Sequence, residues 1–403
     1  MSGALRSLRY RLSALDPGAE LEFIVPGPGP AGRELAALGS VIELEFSALT
    51  FPDSVRRARR HLARVSEESR RFRRHFAQTR PDLVITTSTM LPAAVHAAGK
   101  ADIPVLVHAS ELLSAERLPS ASKRAVAHSL LRWTARRAAI VVACSEAVAR
   151  QFPAELAPIE TLYPPIADVY GDGDRRDLRS RYGIDADQPC VVAVGNITRG
   201  RGQDVLLRAF ALLREQLPTA RCLIVGEPFE RGRDLGYRAR LENLVDGLGL
   251  STVVDFVGPV ATTADVYAAA DLVVNPARIP ESFGRVACEA LLAGRAVVST
   301  RVGAVPEVLR DGESALLVEP DDPGQLAAGM LRLLADPELA AELASAGRAD
   351  VLRRFAPDSI AVRFSQLVGE ALAAEEGSPL GERPPAPGAP APHPAEAAAL
   401  RSP

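Results

Sequence analysis

Cysteine is scarce in this chain: four residues in 403, at Cys144, Cys190, Cys222 and Cys288, each far from the others. That excludes a disulfide framework and a zinc site built on paired thiolates, because both need thiols at close or regular spacing. The four read as small buried hydrophobes. The six histidines show no ligand spacing either, so neither a structural nor a catalytic metal is expected. No apolar run approaches the roughly 18 residues of a spanning helix, and the N-terminus has no signal-peptide core, which leads to the expectation of a cytoplasmic protein. An excess of positive charge is missing as well. Lys and Arg number 47 against 50 Asp and Glu, a formal balance of −3, and this argues against general nucleic-acid binding.

What is present is an ordinary globular composition, 47% hydrophobic and 24% charged, in a chain long enough for two domains. Short apolar runs alternate with helical patterns in two successive sets, the second starting near Leu178. This predicts an α/β protein of two doubly wound, Rossmann-like domains. The clearest unit is Asn275 to Glu307. Leu272–Asn275 reads as a buried strand, 276–284 as a loop, 285–293 as a helix with Gly294 at its C-cap, and Ala296–Thr300 as the next strand. In such a βαβ unit a ligand sits beyond the strand ends, where the N–H groups of Phe283, Gly284 and Arg285 favour an anion.

Two carboxylates in this unit need a reason: Glu281 in the loop, and Glu289 inside the apolar run that follows. A buried unpaired glutamate is costly, so Glu289 must face a cleft or hold a partner; an i, i+4 ion pair with Arg285 is the plain alternative. Upstream, the strand 191–195 leads into a loop with Asn196, Arg199 and Arg201 among Gly195, Gly200 and Gly202. Cations on a glycine-rich turn ahead of a helix suit a diphosphate.

Glu, seven residues, Glu, with Phe-Gly between them, followed by Gly303, Pro306-Glu307, Asp311-Gly312 and Leu317-Val318-Glu319-Pro320, resembles the donor-site signature of the retaining glycosyltransferases of family 4. The resemblance implies the two-domain GT-B architecture. It places an acceptor-binding domain at 1–165, with its first strand apparently missing, a nucleotide-sugar domain at 166–356, a helix at 357–374 that crosses back, and a tail at 375–403 read as disordered from its composition. It implies a nucleoside-diphosphate sugar as donor, a glycan or lipid-linked acceptor, retention of configuration and no cofactor or metal.

The roles carried over are as follows. Glu281 contacts the donor sugar and Glu289 the ribose, while Arg201, Asn196 and Arg199 face the diphosphate beside Ser282, Phe283 and Gly284. Asn196 stands where the family has Arg, and Arg201 where it has Lys. The segment 253–258, ending in Gly258, corresponds to the backbone that reads the base. His108 and Glu111 match a His-x-x-Glu at a strand end, so His108 joins Glu281 and Arg201 as a catalytic candidate, and Gly3, His108 and Glu111 mark the acceptor side.

One further feature lies outside the signature. The helix pattern at 55–77 carries arginines at 56, 57, 59, 60, 64, 70, 71, 73 and 74, opposed by Glu67 and Glu68, with Ala58, Leu62, Val65, Phe72 and Phe76 on one stripe. It is either a solvated helix face or a patch, Arg56 to Arg74, that meets an anionic acceptor or an anionic membrane surface on the inner side of the cell membrane. Two other functions share the architecture: a catalytically inactive binding subunit, or a nucleotide-sugar epimerase.

Overall fold

The computed structural model describes residues 3–49, 55–113, 118, 120–170, 175–229 and 234–374, and for 3–4 and 55–59 only the helical backbone. The N-terminal part runs α1 (Gly3–Leu12), β1 (Glu22–Val25), α2 (Pro30–Leu35), β2 (Ser40–Glu43), α3 (Val55–Thr79), β3 (Val84–Thr86), α4 (Pro92–Gly99) and β4 (Val105–Ala109). It continues with α5 (Ala121–Ala135), β5 (Ile140–Ala143), α6 (Glu146–Ala149) and β6 (Ile159–Thr161). Strands β3 to β6 form one parallel sheet in chain order, and β1 pairs with β2 in a small sheet of its own. The strands β4 and β5 are buried along their whole length, as continuous apolar runs with helices on both faces require.

The C-terminal part holds α7 (Arg175–Arg181), β7 (Cys190–Val194), α8 (Gln203–Gln216), β8 (Arg221–Val225), α9 (Tyr237–Gly247), β9 (Val254–Gly258) and α10 (Ala264–Ala269). It ends with β10 (Leu272–Asn275), α11 (Arg285–Leu292), β11 (Ala296–Thr300), α12 (Val305–Val308), β12 (Leu316–Val318), α13 (Pro323–Ala335), α14 (Pro337–Arg354) and α15 (Pro357–Ala373). The six strands are parallel in the order β12-β11-β10-β7-β8-β9. Chain progression reverses between β7 and β10, so their C-terminal ends splay two loops apart and open a crevice there.

Apolar clusters cover both faces of this sheet, one around Phe210 and Leu206, the other around Tyr267 and Phe355. In the N-terminal sheet one face packs on α3, α4 and α5, and the other on α15, whose Ile360, Phe364, Leu367 and Ala371 meet Leu106, Ile140 and Val142. The last helix thus crosses back, as the family pattern implies.

The stripe read on α3 needs a correction. Phe72 and Phe76 are buried, but Leu62 is 71% exposed, because the apolar cluster under the helix begins only at Val65. Glu68 does oppose an arginine, Arg64 at 3.5 Å, but from the covered side of the helix. It is buried and accepts from the N–H and hydroxyl of Ser47, both at 3.1 Å. Arg71 is tied to Glu45 and Glu67 at 2.9 and 2.6 Å, which leaves Arg60, Arg70, Arg73 and Arg74 as exposed cations among the described side chains. The side chains of Arg56, Arg57, Ala58 and Arg59, and the tail from 375, lie outside the described residues. No described helix is long and apolar enough to cross a membrane.

Candidate active site

The crevice at the end of β10 is built around Glu281. The strand ends on Asn275, whose Nδ2 donates to Glu281 Oε2 at 2.8 Å and to Ser299 Oγ at 3.2 Å. Arg201, from the loop after β7, donates through Nη1 to Glu281 Oε1. One carboxylate is therefore fixed at both oxygens, by an amide and by a cation, while only 8% of the residue is exposed. The backbone behind it is equally constrained. Ala304 N–H donates to Glu281 O at 2.9 Å, and Gly303 sits at φ 57°, where a Cβ would come within 2.2 Å of that same oxygen. Only glycine lets the two loops meet so closely.

Gly284, at φ 94°, turns the chain into α11. Among the described residues the N–H groups of Phe283, Gly284 and Arg285 have no backbone acceptor, so they form the positive end of a helix beside Glu281. Phe283 is held by Phe355 and Tyr163, with ring centroids at 5.1 and 6.0 Å. Ser282 reaches across the cleft, its carbonyl accepting from Cys144 Sγ at 3.4 Å.

Glu289 lies one face further along α11 and is buried. Burial pushes its carboxyl above the ordinary range, opposed by Arg285, Arg6 and the hydroxyls of Tyr170 and Tyr267. Tyr267 donates to Oε2 at 3.4 Å. The i, i+4 ion pair with Arg285 exists, but at 3.9 Å, and Arg285 Nη2 instead donates to Ser7 Oγ of α1 at 2.5 Å. Glu289 is therefore neither solvated nor firmly paired by Arg285.

The loop from Gly195 to Gly202 closes the other wall. Gly202, at φ 67°, would bring a Cβ within 1.9 Å of Pro276 O, so this loop and the one after β10 are in direct contact. Arg278 clamps them: it donates to Arg199 O at 3.2 Å, to both oxygens of Asp204 at 3.0 and 3.1 Å, and to Asp321 at 2.7 Å. Asp204 also accepts from Tyr237 OH at 2.7 Å, and these donors hold its carboxyl below the ordinary value against burial, the largest single influence. Arg201 points at Glu281, whereas the Arg199 guanidinium lies over the Tyr237 ring at 5.2 Å. Asn196 is exposed and its carbonyl accepts from Gln203 Nε2 at 3.0 Å. Gly258 ends β9 at φ 80° with open space where a side chain would stand. Of the expected donor residues the structure brings Glu281, Arg201, Ser282, Phe283 and Gly284 together, with Glu289 adjacent and Arg199 turned aside.

On the N-terminal wall, His108 near the end of β4 is buried. Its Nδ1 is 3.1 Å from Ser110 Oγ, and its Nε2 has no hydrogen-bond partner among the described residues. Burial, reinforced by the charge of Arg11, pushes its pKa well below the ordinary value, so the ring is neutral at pH 7. Glu111 is engaged in the wall itself: it accepts from Ser88 Oγ, from Thr89 N–H and Oγ1 at 3.2 and 2.8 Å, and from Ser110 N–H at 3.2 Å. Gly3 opens α1.

Several residues went unread in the sequence. Asn275 and Arg278 carry no motif. Glu307 was noted only as part of a Pro-Glu pair, yet its carboxylate crosses the cleft to the N–H groups of Glu146 and Ala147 at 2.8 and 2.6 Å and to Arg150 at 3.1 Å. Arg11 carries no motif either. It is only 5% exposed, and its Nε and Nη2 have no partner among the described residues. Among those residues no group of three His, Cys, Asp or Glu could hold a metal ion.

Comparison with known proteins gives two family matches: "Glycosyl transferase 4-like domain" over residues 4–162 and "Glycosyl transferases group 1" over residues 174–350. A D-inositol 3-phosphate glycosyltransferase 2 of Catenulispora acidiphila is 35% identical over 240 residues, which is 54% of this chain and 56% of that protein. The D-inositol 3-phosphate glycosyltransferase of Mycobacterium tuberculosis is 38% identical over 190 residues, 46% of this chain and 38% of that one. The match thus spans about half the length of these curated relatives, or less. Among solved structures, Anabaena HepE in complex with UDP-glucose shares 24% identity and a TM-score of 0.77 over 92% of this chain and 96% of that one, which shows the same fold. With both halves matched and the GT-B architecture shared, the chain belongs to the family 4-like, group 1 glycosyltransferases.

Proposed function

We propose that the chain is a retaining glycosyltransferase, which moves a sugar from a nucleoside-diphosphate sugar to a hydroxyl of a glycan, polysaccharide or lipid-linked acceptor without a metal ion. The observation that carries this reading is Glu281, fixed by Asn275 and Arg201 at the reversal point of the sheet beside the open N–H groups of α11. A carboxylate so placed can face an anomeric carbon while the cation and the N–H groups face the phosphate that leaves it.

In this reading Arg201 and the N–H groups of Phe283, Gly284 and Arg285 receive the diphosphate. Glu289 receives the ribose and the backbone near Gly258 the base. The bond from the anomeric carbon to the phosphate oxygen breaks, its electron pair leaving with the diphosphate. The acceptor oxygen bonds on the same face and its proton passes to a phosphate oxygen, so configuration is kept. Positive charge developing on the sugar is met by Glu281 and negative charge on the leaving group by Arg201, which together supply the electrostatic term.

Calorimetry with UDP, GDP and ADP, with and without EDTA, is the test. Two or three charge-assisted contacts give about −7 to −8 kcal/mol, a micromolar Kd, and EDTA is expected to leave it unchanged. Binding of none of the three nucleotides would remove this reading, and loss with EDTA would remove its metal-free part. A second reading is a binding subunit without turnover, favoured by Asn196 in an Arg position and by Arg199 turned onto Tyr237. Slow release of UDP from UDP-glucose into water separates the two, because a subunit without turnover binds the donor and leaves it whole.

The same reading places the protein in the cytoplasm, with Arg60, Arg70, Arg73 and Arg74 of α3 against an anionic inner membrane surface. Co-sedimentation with anionic liposomes is expected to fall steeply with salt and in a variant with these four changed to Gln. Equal sedimentation of both proteins at low salt would leave α3 a solvated helix face.

A further inference from the structure

The N-terminal wall of the cleft holds a buried cation, Arg11, whose Nε and Nη2 have no hydrogen-bond partner among the described residues. Ser7 and Arg11 are one turn apart on the same face of α1, both buried. Ser7 takes the hydrogen bond from Arg285 at 2.5 Å, so Arg11 lies one turn deeper, toward the ends of β4 and β5. His108 and Ala109 there pair with Val142 and Ala143, directly before Cys144. Burial, the largest influence, brings the Arg11 pKa down to about 10, with Arg285 acting in the same direction and Cys144 against it; the guanidinium remains charged at pH 7. Arg6, half-buried on the same helix, acts on Arg285 and Glu289 and also has an Nε without a partner. Cations at a helix C-terminus favour the helix dipole, and Arg11 is in the last turn of α1. That account fails for Arg11, because its Nε and Nη2 reach no carbonyl.

We propose that this cluster, Arg11 and His108 with Arg6 and Arg285 at its rim, seats a phosphate group of the acceptor. The proposal rests on the glycosyltransferase reading above. The unsatisfied Nε and Nη2 of Arg11 form a fork suited to two oxygens of one anion. His108, whose Nε2 also has no hydrogen-bond partner among the described residues, lies close enough for the charge of Arg11 to act on its ring. Arg6, whose Nε also lacks a hydrogen-bond partner among the described residues, adds positive charge at the rim beside Arg285. A tetrahedral dianion has oxygens left beyond the fork, and a carboxylate has only two. The donor diphosphate has its own seat at Arg201 and the N–H groups of α11, so a second phosphate position belongs to the other substrate. Arg285, 27% exposed at its side chain, lies where such a group would pass from the cleft.

The experiment titrates inorganic phosphate into the full chain saturated with UDP, by calorimetry and by thermal shift, for wild type, Arg11→Met and Arg6→Met. Wild type is expected to bind phosphate with UDP in place. Arg11→Met should weaken phosphate at least about 10-fold and Arg6→Met about 3-fold, each with UDP affinity within about 2-fold. Without phosphate, Arg11→Met should melt no lower than wild type, because it removes a buried charge that has no partner. The proposal is overturned if wild type binds no phosphate, or if neither variant changes its affinity. It is overturned equally if UDP displaces phosphate and Arg11→Met weakens both, since the seat is then the donor's. Should Arg11→Met fail to fold, the half-buried Arg6→Met decides alone. Failure of the glycosyltransferase reading looks different: no nucleotide binds, whatever phosphate does.

Discussion

The two walls of the cleft treat charge in opposite ways. On the C-terminal wall three carboxylates have company: Glu281 has Arg201 and Asn275, Glu289 has the Tyr267 hydroxyl with Arg285 at a longer 3.9 Å, and the half-buried Asp204 has Arg278, Arg208 and Tyr237. On the N-terminal wall Arg11 and His108 are as deeply buried, yet keep nitrogens without a hydrogen-bond partner among the described residues. Pre-paired groups cost little to hold in place and suit a site that presents fixed dipoles to a developing charge. Unpaired ones mark where a ligand must supply the missing partner. The carboxylates of one wall are held before substrate arrives, whereas Arg11 on the other is left for a ligand to meet.

The largest effect that would break this contrast concerns Glu281. Glu281→Gln keeps the bond from Asn275 in shape but removes the charge facing the anomeric carbon. Turnover is expected to fall about 100-fold, near 2.7 kcal/mol, with the donor KM within about 3-fold. Steady-state kinetics with the donor varied checks it; a rise in KM alone would assign Glu281 to ground-state binding. Next in size is Arg201→Ala, expected to raise the UDP Kd about 10- to 30-fold, or roughly 1.5–2 kcal/mol, by loss of a charge-assisted contact. Unchanged UDP affinity would mean that the paired wall is not where the diphosphate sits.

The smallest effect sharpens the contrast through pH. Burial raises the Glu289 pKa, so between the ordinary carboxylate value of about 4.3 and the raised one the folded state binds more protons than the unfolded chain. Its contribution to stability is therefore lost as pH rises through that window. Glu289→Gln lacks this term: it should melt no lower than wild type at pH 7–8, with any advantage vanishing below about pH 4, and should weaken UDP about 5-fold. Thermal melts across pH check it, and a lower melting temperature at pH 8 would show Glu289 to be better paired than its surroundings suggest.

Much of this was legible in the sequence where pattern and position coincide. The strands Leu272–Asn275 and Ala296–Thr300 and the helices Pro337–Arg354 and Pro357–Ala373 lie where period and breakers put them. Glu281 and Arg201, 80 positions apart, stand together because β7 and β10 are neighbours, which the family pattern carries and periodicity does not. Charge and glycine spacing set Arg199 in the loop before α8 but say nothing about the Tyr237 ring that its guanidinium lies over. Leu62 fits a helical stripe that the core does not reach. Arg11 stayed hidden for a related reason: Leu5, Leu8 and Leu12 mark one apolar face of α1, and nothing in the sequence says that the Ser7–Arg11 face is covered too. Its only signal was a polar face on a helix that opens a domain beside the cleft.

The return of α15 onto the first sheet has a consequence for how the chain comes into being. Its Ile360, Phe364 and Leu367 cover β4 and β5, which leave the ribosome some two hundred residues earlier. Until Pro357–Ala373 has been made, Leu106, Ile140 and Val142 lack their apolar cover. The half synthesised first is thus the half completed last, and during translation the protein depends on its C-terminal half to keep that surface from meeting another chain.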